Sequence, residues 1–146
     1  MKLRAIVMAA AMATTVFASA RVANAQDHLV VTVPFDFAAG SVNLPAGDYT
    51  VKATQSSAVI VLLNRNNPEI SAIIPANAAA ALDIQTQSKL VFNRYGDRYF
   101  LAQVWSEGSS RGKQLVKTDR EKEMSLVAKA DTDKVILVAS LSPTPR

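Results

Sequence analysis

Four residues around one Gly-Asp pair form the strongest chemical grouping in this chain. Arg94 and Tyr95 precede Gly96-Asp97, and Arg98 and Tyr99 follow it. Guanidinium groups offer a planar fork of donors, and tyrosine rings offer flat π faces. A cationic, aromatic rim of this kind fits stacking a sugar or gripping an anion. The competing reading is cross-strand Arg–Tyr stacking at a hairpin tip, with no ligand. The carboxylates form a second group: Asp36, Asp48, Glu69, Asp83, Asp97 and Glu107 all fall near expected turns or strand ends. Two of them about 5–10 Å apart in one cleft would make the acid–base couple of a glycoside hydrolase. Sequence spacing brings no two together, and solvated turn residues are the plainer expectation.

Other chemistries lack their residues. The chain has one histidine, His28, and no cysteine. Triads of Ser-His-Asp or Cys-His type and ordinary zinc sites are therefore excluded. A general base must be held in place, and His28 lies near an expected frayed terminus, so it is read as a solvated terminal residue. Asp131-Thr132-Asp133 has two carboxylates two apart, as calcium loops do. It lacks the third acid, the glycine and the distal glutamate of such a loop, and reads as a polar turn. The five glycines are spread out, so no phosphate-cradling loop is present. No catalytic residue, metal ligand or cofactor is expected.

The element that must position the rim is a hairpin, Lys89 to Trp105. Two β-rich runs separated by Gly-Asp are a hairpin signal, because glycine accepts the positive φ of a tight turn. A two-residue loop sets Tyr95 opposite Arg98 and makes Phe92–Leu101 and Arg94–Tyr99 pairs. One face then carries Leu90, Phe92, Arg94, Tyr99, Leu101, Gln103 and Trp105. The other carries Lys89, Val91, Asn93, Tyr95, Arg98, Phe100, Ala102 and Val104. Both faces hold large apolar groups, so the hairpin is expected to be central and covered on both sides. Trp105 is expected as a core anchor with its N–H satisfied.

The N-terminus reads as a leader. Met1-Lys2-Leu3-Arg4 is basic, Ala5 to Ala20 is uncharged and mainly apolar, and Ala23-Asn24-Ala25 is an A-x-A cleavage site. This is the layout of a secretory signal peptide over residues 1–25. The alternative, an uncleaved anchor, is disfavoured because the run is short for a spanning helix. Removing Lys2, Arg4 and Arg21 from the 16 basic residues leaves 13 against 12 acidic ones, a net charge of +1. A near-neutral processed chain gives no basis for nucleic-acid binding. Without cysteine there is no disulfide framework, and stability must come from core burial.

Along the rest, Leu29 to Phe37 alternates at period two, a half-buried strand limited by Pro34. Leu44-Pro45-Ala46-Gly47 is a turn, and Asp48 to Thr54 is a strand with Tyr49, Val51 and Ala53 inward. Ala58 to Leu63 is continuously apolar and reads as a strand buried on both faces. Ile70 to Ile74 is a strand stopped by Pro75. Ala76 to Gln87 reads as a small-residue strand through Leu82 and Ile84. Lys113 to Lys117 and Lys134 to Ser140 are further strands. Thr118-Asp119-Arg120-Glu121 fits a capping box. Met124, Val127 and Ala128 form an apolar stripe after it, with Lys129 in the last turn. The fold class is therefore all-β and mainly antiparallel. The expected architecture is a β-sandwich or small barrel of about eight or nine short strands, with one helix in the C-terminal half. Residues 26–141 make one domain, and 142–146 a disordered tail.

Two stretches carry a resemblance. They are Val33-Pro34-Phe35-Asp36-Phe37 leading to Leu44-Pro45-Ala46-Gly47-Asp48-Tyr49-Thr50-Val51, and Phe92-Asn93-Arg94-Tyr95-Gly96-Asp97-Arg98-Tyr99-Phe100-Leu101. Together they resemble a family of small secreted, signal-bearing, uncharacterised β proteins of acidobacteria and similar soil bacteria. The resemblance implies an exported β protein and supplies no catalytic residue. Three functions follow, in order. The first is a non-catalytic envelope or extracellular protein, periplasmic or secreted, with a protein or surface partner. The second is a small-ligand or glycan binder using Arg94, Tyr95, Arg98 and Tyr99. The third is a carboxylate-dependent hydrolase.

Overall fold

The computed structural model describes residues 28–128 and 132–142. The expected leader, Lys129, Asp131 and residues 143–146 of the expected tail lie outside them. The elements run β1 (His28–Val33), β2 (Phe37–Ala39), β3 (Val42–Leu44), β4 (Gly47–Lys52), β5 (Val59–Asn64), β6 (Ser71–Ala80), β7 (Lys89–Tyr95), β8 (Arg98–Trp105), β9 (Arg111–Leu115), α1 (Asp119–Val127), β10 (Thr132–Val138) and β11 (Ser140–Ser142). The class is all-β and sandwich-like, as expected. The strand count exceeds the expectation because three-residue pieces, β2, β3 and β11, also pair.

Hydrogen-bonded neighbours follow the order β10-β7-β8-β9-β6-β5-β4-β1-β11, with β2 joined to β8 and β3 to β2. The ladder is not closed, and its pairs are antiparallel apart from one parallel bridge, Ala38 to Phe100. It turns over on itself at β6. Ser71–Pro75 pairs with β5, and Ala76–Ala80 pairs with β9. The expected stop at Pro75 is thus corrected. A proline cannot donate to a ladder, and Pro75 sits where the strand changes partner, so the missing N–H breaks nothing. The strand ends at Ala80 and does not reach Leu82 or Ile84, which are exposed. At the other end of the path, only Ala139 separates β10, on β7, from β11, on β1. Ala139 is buried and its N–H donates to the Ser88 carbonyl at 2.9 Å. The paired Ser140–Ser142 also shows that order extends past Leu141.

Between the layers lies one apolar core. It takes Leu29, Val31 and Val33 from β1, Tyr49 and Val51 from β4, Ile60 and Leu62 from β5, and Leu90, Phe92, Leu101 and Val104 from the hairpin. Burial of these period-two side chains is the main favourable term in folding. β5 is buried on one face only: Ile60 and Leu62 are inside, while Val59, Val61 and Leu63 are half-buried. The expectation of two dry faces fails because a sandwich strand has one outer side. A second, smaller cluster on the outer face of the hairpin joins Ala38, Tyr95 and Phe100 to Met124 of α1 and to Ala128, its C-cap. The hairpin is thus covered on both sides, and the helix supplies the second cover.

The helix starts as its sequence requires. Thr118 is the N-cap, and its hydroxyl accepts from the Glu121 N–H at 3.2 Å. The reciprocal half of the box is replaced: the Glu121 carboxylate instead accepts from Asn93 and Tyr95 on the sheet. Of the expected stripe, Met124 and Ala128 pack inward, while Val127 is exposed.

Candidate functional site

The Gly96-Asp97 turn forms as the sequence requires. Gly96 has φ 63°, and Tyr95 faces Arg98, Arg94 faces Tyr99 and Phe92 faces Leu101. One bulge then changes the register. Val91 pairs with Gln103 and Phe92 with Leu101, leaving Ala102 as the extra residue. Beyond it every side chain swaps faces. Val104 enters the core, and Gln103 and Trp105 move to the outer face, against the expectation. The polarity of Gln103 was the available signal, since an unbroken alternation would have placed that amide in the core. Trp105 is buried, and its indole N–H donates to Gln103 Oε1 at 3.1 Å.

The tip alternation separates the four rim residues. Arg94 and Tyr99 lie on the inner face. The Tyr99 ring stacks on Phe35 at 3.8 Å and 14°, and Phe35 meets Phe92 edge-on at 5.2 Å. Arg94 forms an ion pair with Asp133 at 3.5 Å. Tyr95 lies on the outer face, is buried, and donates its hydroxyl to Glu121 Oε1 at 3.1 Å. Only Arg98 and Tyr99 of the four line the large cleft at this end of the molecule.

That cleft has a volume of about 440 Å³. Its floor is apolar: Phe37, Ala38, Leu44 and Phe100 are all buried. Its rim is polar and exposed: Asp36, Asn43, Asp97, Arg98 and Arg120. Each comes from a different local cause. Pro34 ends β1, and the chain turns so that Asp36 Oδ1 accepts the Ala46 N–H at 2.9 Å, fixing the acid beside the Pro45 turn. Asn43 sits on the short β3. Asp97 and Arg98 come from the hairpin tip. Arg120 occupies the first turn of α1, which Thr118 fixes in place. Among the described residues no ion pair joins these acids to these cations. The rim therefore presents unneutralised donors and acceptors around an apolar base, a surface that matches alternating hydroxyl and C–H groups.

Asn43 and Arg120 were not legible as site residues, and Asp36 was one of six candidate carboxylates with nothing in its spacing to bring it beside the hairpin tip. The capping box places Arg120 in a first turn, but no local pattern places that turn beside the hairpin tip.

Beneath α1 a second polar group is closed. Glu121 is buried, and Oε1 accepts from Asn93 Nδ2 and Tyr95 Oη, both at 3.1 Å. Burial, then the Glu121 charge and hydrogen bond, push the Tyr95 phenol up to about 12, while Asn93 acts in the opposite sense. On the opposite layer, burial also raises the Tyr49 phenol, whose hydroxyl donates to the Pro45 carbonyl at 2.6 Å. Among the described residues no group of three or more His, Asp or Glu side chains is placed to hold a metal. None of the described helices is long and apolar enough to cross a membrane.

No family model, curated protein or solved structure matches this chain.

Proposed function

We propose that this chain is an exported, non-catalytic β-domain protein that binds a small polyhydroxylated ligand, of the saccharide class, in the cleft between the hairpin tip, β3 and the first turn of α1. One observation carries this reading. Two carboxylates, an amide and two guanidinium groups surround a buried apolar floor without neutralising one another. Carboxylates and amides accept from sugar hydroxyls, guanidinium groups donate to them, and Phe37 and Phe100 offer apolar surface to ring C–H groups. This moves the small-ligand reading ahead of a flat protein-docking role.

The test is a glycan array and calorimetry on the processed protein. Retention of one saccharide class, lost on Arg98→Ala or Arg120→Ala, is the expected result. No retained glycan across the array would overturn the reading. A carboxylate-dependent hydrolase is the second reading, because Asp36 and Asp97 line the same cleft. Its mark would be turnover of a bound saccharide that disappears in Asp97→Asn while binding persists.

A further inference from the structure

Gln103 stands on the outer face of the sheet because of one extra residue. In an unbroken ladder Ala102 would face Val91, and Gln103 would enter the core. The bulge instead sets Val91 opposite Gln103, and Gln103 opposite Gln114 on β9. Bulges re-aim side chains beside functional sites. Here Ala102, Gln103 and Gln114 all line one hollow of about 200 Å³. Asn93 and Lys134, directly opposed on β7 and β10, also line it. Lys117 and Glu121 join them from the entry to α1. No residue of this hollow lines the cleft at the hairpin tip.

Its polar groups are only partly used. Glu121 Oε1 accepts from Asn93 and Tyr95, which leaves Oε2 for a further donor. Gln103 Oε1 takes the Trp105 indole N–H at 3.1 Å, which fixes that amide and leaves its NH2 group to donate. Lys117 and Lys134 are exposed, and among the described residues neither has an ion-pair partner. Two ammoniums and one carboxylate leave the hollow with one net positive charge.

We propose that this hollow binds a small hydroxycarboxylate, with its carboxylate held by Lys117, Lys134 and the Gln103 amide and its hydroxyl donating to Glu121. The proposal is independent of the saccharide reading of the cleft. A carboxylate only accepts, and charge-assisted bonds from ammoniums are the strong ones. One negative charge balances the hollow. A neutral polyol leaves both ammoniums without a counter-charge. A phosphate dianion sets a second negative charge against Glu121. Acetate brings the charge but no hydroxyl, so Glu121 Oε2 gains no donor. The bulge then has a use: it places the one amide donor whose orientation the Trp105 N–H already fixes.

The experiment follows the side-chain amide resonances of the isotope-labelled full chain by NMR. Sodium glycerate is the probe, with acetate, glycerol and inorganic phosphate titrated in parallel. The expected result is a saturable, one-to-one shift of the Gln103 and Gln114 NH2 groups with glycerate, and weaker effects of the other three. Lys117→Met and Lys134→Met keep the side-chain stems of exposed residues. Each should weaken glycerate binding at least about tenfold, the loss of one charge-assisted hydrogen bond, at an unchanged melting midpoint. Absence of a saturable shift overturns the site. So does binding that is equal in the parent and both lysine variants. Equal binding of acetate, glycerol or phosphate overturns the ligand class. Glycerate shifts centred on Asn43 and Arg98 would put the ligand in the cleft and overturn the hollow, leaving the cleft reading standing.

Discussion

The Tyr95 hydroxyl donates to Glu121 Oε1 across 3.1 Å, and both side chains are buried between the hairpin and α1. The same oxygen accepts from Asn93. A residue that the sequence reads as half of a capping box thus ties the helix to the sheet. A buried carboxylate needs such donors, since losing one leaves its desolvation uncompensated.

Tyr95→Phe should therefore destabilise the fold by about 1–3 kcal/mol. In a domain of this size that is a fall on the order of 5 °C in melting midpoint. The sign of the pH dependence also follows. The folded phenol titrates near 12 against an ordinary 10.0. Between those values the unfolded chain has lost its proton and the folded chain keeps it. The contribution is complete below about pH 10 and declines as pH rises towards 12. Melting scans across that window should fall more steeply for the parent protein than for Tyr95→Phe. Parallel curves would contradict the assignment.

Gly112 is held small by what lies over it. A Cβ there would meet Trp105 Cε3 at 2.6 Å and the Val104 carbonyl oxygen at 2.7 Å. The carbonyl belongs to the paired β8–β9 ladder and cannot swing aside. Gly112→Ala should destabilise by about 1–3 kcal/mol, as overpacking does. Trp105 is the single tryptophan, so its emission should shift with the displaced ring. An unchanged denaturation midpoint and spectrum would refute this.

The hairpin shows what the sequence makes legible. Gly96 had to be the turn, because a positive φ suits a residue without Cβ. That turn set the pairs from Tyr95–Arg98 back to Phe92–Leu101. The bulge at Ala102 left one indirect mark: alanine itself tolerates either face, and only the polar Gln103 beyond it is misplaced by an unbroken alternation. Pro75 misled for a related reason: a local rule against proline in ladders does not know where a strand changes partners. The cleft was least legible. Arg98 and Tyr99 are sequence neighbours, but Asp36, Asn43 and Arg120 join them through long-range packing alone.

At the cleft, Arg98→Ala and Arg120→Ala each remove an exposed cation. Surface changes of this kind alter stability by about 0.5 kcal/mol or less. The melting midpoint should hold while saccharide binding weakens at least about tenfold, the loss of one charge-assisted hydrogen bond. Tyr95→Phe offers the opposite pattern, lower stability with binding retained, because its ring does not line the cleft. Identical binding in the two arginine variants and the parent would remove the cleft from consideration.

Lys113 lies on β9 opposite Val104, a core residue, and is itself buried. Its ammonium crosses to the other layer and donates to the Gln55 and Ser57 carbonyls, in the turn between β4 and β5. The turn's carbonyls are satisfied by a cation from the far sheet. Lys113→Met keeps the stem but removes both donors, leaving two acceptors short of a partner. The expected loss is about 1–3 kcal/mol. Because the donors span the layers, amide exchange should quicken first in residues 54–59 and not in the β7–β8 hairpin. Uniform acceleration across the molecule would show that Lys113 serves the whole core and not this turn.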